Sequence, residues 1–154
     1  MPAGFSLRFL SDAAPFVYDY PTWLANVRRL DRARYVLAIE DCDVEQYEVR
    51  GSPSQCASLR LTEEATRRLR AAERTLIENP AIVLLGDELV YAGREYLRYG
   101  AAAIRFPVVH RDRLNERVLD VCGALGGVSD EQARVLDRPE LRAHFRRTGR
   151  LVER

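Results

Sequence analysis

Asp41, Asp43 and Glu45, flanked by Glu40 and Glu48, are the densest group of potential metal ligands in the chain. Alternate side chains of an extended segment point the same way, so three carboxylates spaced by two converge on a hard cation such as Mg2+. The same spacing opens a calcium loop, but that loop requires glycine at its sixth position and a bidentate glutamate at its twelfth. Gln46 and Ser52 stand there instead, and the calcium reading fails. Two readings are left for Asp41, Asp43 and Glu45. They form an acidic strip turned toward a protein partner, or the metal site of a small metal-dependent enzyme or nuclease. The first is preferred, and no metal or other cofactor is assigned.

Nucleophilic catalysis has thinner support. The chain has two histidines, His110 and His144, and three cysteines, Cys42, Cys56 and Cys122. Cysteine and histidine can form an activated pair, but none of the local signatures of such enzymes surrounds these residues. The cysteines are odd in number, widely separated and without Cys-x-x-Cys spacing. They read as reduced thiols filling small core sites in a cytosolic protein. All 24 basic residues are arginine. The absence of lysine excludes a Schiff-base lysine, a phosphate-loop lysine and a lysine general base. Gly123, Gly126 and Gly127 follow a helical pattern rather than joining strand to helix, so they end a helix and do not cradle a phosphate. No catalytic residue is assigned.

Two other groups carry recognition chemistry. Tyr18, Tyr20 and Trp23 either cover a sheet edge as a hydrophobic lid or form an exposed aromatic patch that binds a partner or stacks a base. Near the C-terminus, Arg142, Arg146, Arg147 and Arg150 are the candidates for phosphate contacts. They follow a helix-turn-helix pattern over Leu114–Arg150, but the second helix would begin Ser129-Asp130-Glu131, turning two negative charges on phosphates. The net charge of +1 argues against a general polyanion binder. Charge is nonetheless uneven. Asp12–Glu48 holds eight acids against four arginines, and Arg138–Arg154 six arginines against two acids. That asymmetry suits partner-facing surfaces or self-association.

The elements that position these groups follow from periodicity. Strands are expected over Phe5–Leu10, Arg34–Ile39, Val44–Arg50 and Cys56–Leu61. Thr22 caps a helix over Trp23–Asp31, and Thr62 caps a long amphipathic helix over 63–79. Ile82-Val83-Leu84-Leu85, then Gly86-Asp87, then Leu89-Val90-Tyr91 reads as a type II′ hairpin over 82–92 whose first arm is buried on both faces. One or two helical turns over 94–100 and a strand over 101–109 follow, with Pro107 at an edge or strand end. The C-terminal segment, 111–148, is expected to be helical, with helices carrying Leu114–Leu125, opening at Ser129, and spanning Glu140–Thr148.

The 154 residues are thus read as a single α+β domain over 1–154, with a mostly antiparallel sheet, a central hairpin and a helical C-terminal segment. No uncharged stretch approaches the roughly 20 residues that span a bilayer, and Met1–Leu10 has no secretory pattern, so the expected place is the cytoplasm, away from membranes. The function read from these features is a protein-binding regulator (an inhibitor, adaptor, antitoxin or immunity-type protein) acting through Tyr18, Tyr20, Trp23, Asp41, Asp43 and Glu45. The partner is another protein, with a homo-oligomer as a variant. The alternatives are a nucleic-acid-binding regulator and the small metal-dependent enzyme.

Overall fold

The computed structural model describes residues 4–12, 14, 19–50, 56–76, 79–95, 107–123 and 139–153. In chain order the elements are β1 (Phe5–Leu10), α1 (Tyr20–Arg28), β2 (Tyr35–Glu40), a 3-10 turn (Asp41–Asp43), β3 (Val44–Arg50), β4 (Cys56–Leu61), α2 (Glu63–Ala71), a 3-10 turn (Glu73–Thr75), β5 (Pro80–Leu85) and β6 (Glu88–Glu95). They continue with β7 (Val108–His110), a 3-10 turn (Leu114–Glu116), β8 (Val118–Cys122), α3 (Pro139–Arg147) and β9 (Leu151–Val152). The fold is α+β, built on a mostly antiparallel sheet. Among the described residues that sheet has nine strands in the order β2-β1-β5-β6-β7-β8-β4-β3-β9, with β6/β7 and β3/β9 parallel.

The β5–β6 hairpin explains why its first arm is apolar throughout. Leu85 pairs with Glu88 across Gly86-Asp87, and Gly86 has φ 63°. A II′ turn needs that positive φ at its first central residue, which glycine supplies without strain. Ile82 and Leu84 face α1, where Trp23, Tyr20 and Val27 cover them with Leu10, Ala92 and Val108. Ala81 and Val83 face the larger core, with Phe5, Leu7 and Phe9 of β1 and residues of α2 and α3. Both faces are buried, as the unbroken aliphatic run requires.

Only Asp41–Asp43 connect β2, at one end of the sheet, to β3, next to the other end. Three residues cannot cross a flat sheet. The sheet therefore curls until its two ends approach one another, and α3 seats in the concave side. Phe145 of α3 packs 5.4 Å from Phe5 of β1 and stacks 4.6 Å from Tyr47 of β3, two strands far apart in the sheet order.

Several expectations are corrected. The helix begins at Tyr20 rather than Trp23, because Asp19 accepts from the Thr22 amide and Pro21 fits the first turn, where its missing N–H costs nothing. The helix over 63–79 is shorter. It stops at Ala71 and passes into a 3-10 turn, in which the Thr75 hydroxyl donates to the Ala72 carbonyl. Arg94 and Glu95 belong to β6, not to a helical turn.

The helical reading of 111–125 is overturned over its described part, 111–123. Val118–Cys122 is strand β8, held between β7 and β4. Leu114, Val118, Leu119, Val121 and Cys122 fit a helical period, but Leu119 and Val121 also alternate into the core, and ladders on both sides select the strand. The helix-turn-helix thereby loses its first helix. Its turn and second helix, the turns over 96–100 and the strand over 101–106 lie outside the described residues, as does Tyr18. The cysteines are also corrected: Cys56 and Cys122 are directly opposed on β4 and β8 and form a disulfide, leaving Cys42 free and exposed.

Candidate functional site

Asp41, Asp43 and Glu45 do not converge. The segment is not extended: Asp41–Asp43 is a 3-10 turn, and the β3–β4 register slips between Val44 and Gln46, making Glu45 the extra residue of a bulge. Each carboxylate consequently meets a different arginine. Asp43 pairs with Arg68 of α2 at 2.7 Å and accepts from the Glu40 amide at 2.9 Å. Glu45 pairs with Arg117, ahead of β8, at 3.2 Å. Asp41 turns to His144 in the last turn of α3 and to Arg150, three residues beyond it. Among the described residues no three His, Cys, Asp or Glu side chains are grouped to hold a metal ion.

The most developed polar cluster is the one around Asp41, and the end of α3 builds it. Gly149, at φ 72°, adopts the left-handed conformation that ends the helix. The Gly149 amide donates to the Arg146 carbonyl and the Arg150 amide to the Phe145 carbonyl, the paired bonds of a Schellman turn. The Tyr47 amide then donates to the Arg150 carbonyl at 2.9 Å, fixing that turn on β3. Arg150 is thereby aimed back at the β2–β3 turn. Its guanidinium donates to the Asp41 carboxylate, to the Asp41 carbonyl at 2.6 Å, to the Val44 carbonyl at 2.9 Å and to the Thr148 hydroxyl at 2.9 Å. It also lies 4.9 Å from the Phe145 ring centre.

Asp41 Oδ2 accepts from the Phe5 amide at 2.8 Å and lies 2.7 Å from Nε2 of His144, a residue only 4% exposed. Burial raises the Asp41 pKa, but the Phe5 amide, the Arg150 guanidinium and the His144 ring together outweigh it and hold the carboxyl below its ordinary value. Both carboxylate oxygens are thus engaged by protein donors. Chemically this cluster is an ionic clasp that binds β1, the β2–β3 turn and the α3 terminus into one unit. With Asp43 bonded to Arg68 of α2 and Glu45 to Arg117 ahead of β8, the acidic strip acts as a hub of internal ion pairs.

The other candidates fall as follows. Tyr20 is 7% exposed and donates its hydroxyl to the Ala92 carbonyl at 2.8 Å, and Trp23 is fully buried, so neither lies on an exposed aromatic patch. Arg150 belongs to the clasp and Arg146 pairs with Glu153, while Arg142 is half-buried and Arg147 exposed. Only part of the proposed phosphate-binding row thus faces outward. On the convex face, Arg113 forks onto Asp120 at 3.0 and 2.8 Å and donates to Ser58 Oγ at 2.9 Å, an arrangement that raises the Arg113 pKa. An open groove of about 800 Å3 between α2 and the Leu114–Glu116 turn is lined by Glu64, Arg67, Arg70 and Arg117. Its arginines bond to Glu64, the Leu114 carbonyl and Glu45.

Sequence reasoning missed Tyr35 and Val36. These are the large apolar side chains on the surface among the described residues, 43% and 41% exposed, and they sit on β2 at the end of the sheet. The Arg8 guanidinium stands 5.2 Å from the Tyr35 ring centre. Arg34, 66% exposed, pairs with Asp12 beside them. No local signal marks them, because Tyr35–Ile39 is an unbroken apolar run like that of β5, and their exposure follows from the place of β2 at the end of the sheet.

No helix among the described residues is long and apolar enough to cross a membrane. No protein-family model matches the chain, and no curated protein does. A solved structure, titled "Crystal structure of SecDF in Super-membrane-facing form", is similar at 16% identity and a TM-score of 0.43. The similarity covers 87% of this chain and 18% of that one.

Proposed function

We propose that this chain is a small cytoplasmic protein-binding regulator of the inhibitor, adaptor, antitoxin or immunity type. The supporting observation is the exposed Tyr35–Val36 pair on β2, rimmed by Arg8, Arg34 and Asp12. An apolar centre with a charged rim is the usual anatomy of a protein-binding patch, and tyrosine is enriched at its energetic centre. The occupant is a partner protein presenting an apolar side chain flanked by carboxylates, complementary to Arg8 and Arg34. Contact is through side chains rather than strand addition. Arg68 donates to the outward Ala38 carbonyl at 3.2 Å, and the β1–β2 register slips next to Tyr35, so this sheet edge is guarded against added strands. This surface replaces the buried Tyr20 and Trp23 and the internally paired acids as the basis for partner binding.

The test is gentle purification from the source cell followed by native mass spectrometry, for the wild type and for Tyr35→Ser with Val36→Ser. A stoichiometric protein partner that the double variant loses, with its melting temperature unchanged, is the expected result. A partner retained by the variant, or a bare chain in both samples, overturns the reading. Nucleic acid in the eluate that is lost at high salt would instead direct attention to Arg142, Arg146 and Arg147.

A further inference from the structure

We propose that Cys56–Cys122 is a redox-active disulfide, opened and reclosed by exchange with a dithiol while the chain stays folded. The two cysteines are register partners at one end of the β4–β8 ladder, which has five paired positions. Their neighbours Ala57 and Val121 point into the core, so the bond lies on the opposite, convex face. The backbone ladder already holds these strands together. Once reduced, the thiols remain opposite one another, and reclosure needs no search by the chain. Cys56, the first residue of β4, is half-buried whereas Cys122 is 6% exposed, so Cys56 is the half of the bond assigned to the incoming thiolate.

The exchange balances with a dithiol as reductant. A dithiol thiolate attacks Cys56 Sγ, the Cys56–Cys122 bond breaks, and its electron pair leaves on Cys122 Sγ, which takes up a proton. The second dithiol sulfur then attacks its own half of the mixed disulfide and releases Cys56 as a thiolate, which is protonated in turn. The protein gains two electrons and two protons, and the dithiol becomes a cyclic disulfide.

The bond also stands beside the β6–β7 ladder, the shortest interior one among the described residues. Cys122 pairs on its other side with Val108 of β7, and among the described residues β7 joins β6 through the register pairs Arg94–Val108 and Glu95–Val109. Opening the disulfide therefore loosens the junction between the two halves of the sheet. The regulatory meaning rests on the cytoplasmic reading above, because disulfides of that compartment are usually transient and redox-sensing. The chemistry is tested independently of the partner, and its failure leaves the Tyr35–Val36 surface untouched.

The experiment uses Cys42→Ser, which removes the exposed third thiol. The protein is equilibrated without denaturant against stated ratios of reduced to oxidised dithiothreitol, then alkylated and weighed. Expected are two alkylated cysteines in the reduced form and a melting temperature lower by about 10 °C, from releasing a loop closed over 66 residues. Amide exchange should rise at Val108–His110 and at Arg94 and Glu95, and removal of the reductant should restore the same intramolecular bond. Three results would each overturn the proposal: reduction only in denaturant, unfolding upon reduction, or free Cys56 and Cys122 in protein purified without reductant.

Discussion

Asp41→Ala tests whether the ionic clasp holds the two ends of the sheet. The substitution strips the carboxylate from Arg150, from His144 and from the Phe5 amide at once. Removing one partner of a buried charged pair costs about 3–5 kcal/mol. Asp41 keeps 30% of its side-chain surface and Arg150 17%, so water replaces part of what is lost. A loss of about 2–3 kcal/mol is therefore expected, equivalent to a fall of about 5–10 °C in melting temperature for a chain of this size. Urea unfolding measures it as a lower midpoint at unchanged slope. Glu45→Ala is the control, because Glu45 and Arg117 are 40% and 37% exposed, and such pairs contribute about 1 kcal/mol or less. The pH dependence follows from the depressed carboxyl. A group whose folded pKa lies below its unfolded value, ordinarily 3.8, contributes stability above that value and loses it as pH falls through the folded one. The advantage of the wild type over Asp41→Asn is thus full at pH 6 and shrinks below about pH 4. If Asp41→Ala costs no more than Glu45→Ala, or if the Asn difference is flat with pH, the clasp does not hold the fold.

Two further substitutions probe the sheet. Gly93→Ala places a Cβ about 2.7 Å from the Pro107 carbonyl and against the Tyr91 ring, where the Arg94 amide donates to Pro107 and the Tyr91 hydroxyl to Cys122. A loss of about 2–3 kcal/mol in urea unfolding is expected, and a neutral result would contradict the β6–β7 register. Arg113→Ala leaves the Asp120 carboxylate and the Ser58 hydroxyl without their shared donor, at a cost of about 2 kcal/mol. A double-mutant cycle with Asp120→Ala should return most of that energy as coupling, and additive losses would show that the fork contributes little.

Local chemistry made much of the scaffold readable. The hairpin, β1, β3 and β4 follow from alternation, aliphatic runs and a glycine-first turn, because those signals act over a few residues. Val118–Cys122 misled because its apolar residues satisfy two periods at once, and only neighbouring strands on either side decide between them. The disulfide was hidden for the same reason. Cys56 and Cys122 become neighbours only when β8 is a strand and pairs with β4 in one register.

The candidate site was half legible, and the reason lies in backbone geometry. The acids at 41, 43 and 45 stood out by composition, but their convergence assumed extended chain through all five residues. A 3-10 turn and a bulge break that assumption twice, sending the three side chains toward α3, α2 and the approach to β8. The divergence has a topological cause. A link of three residues between one end of the sheet and the strand next to its other end must turn tightly, and a tight turn fans its side chains apart. The same link draws α3 and Arg150 within reach of Asp41, more than a hundred residues earlier. The acidic strip is therefore better understood as the internal ion-pair hub that closes the curled sheet, which leaves the apolar pair on β2 as the proposed partner surface.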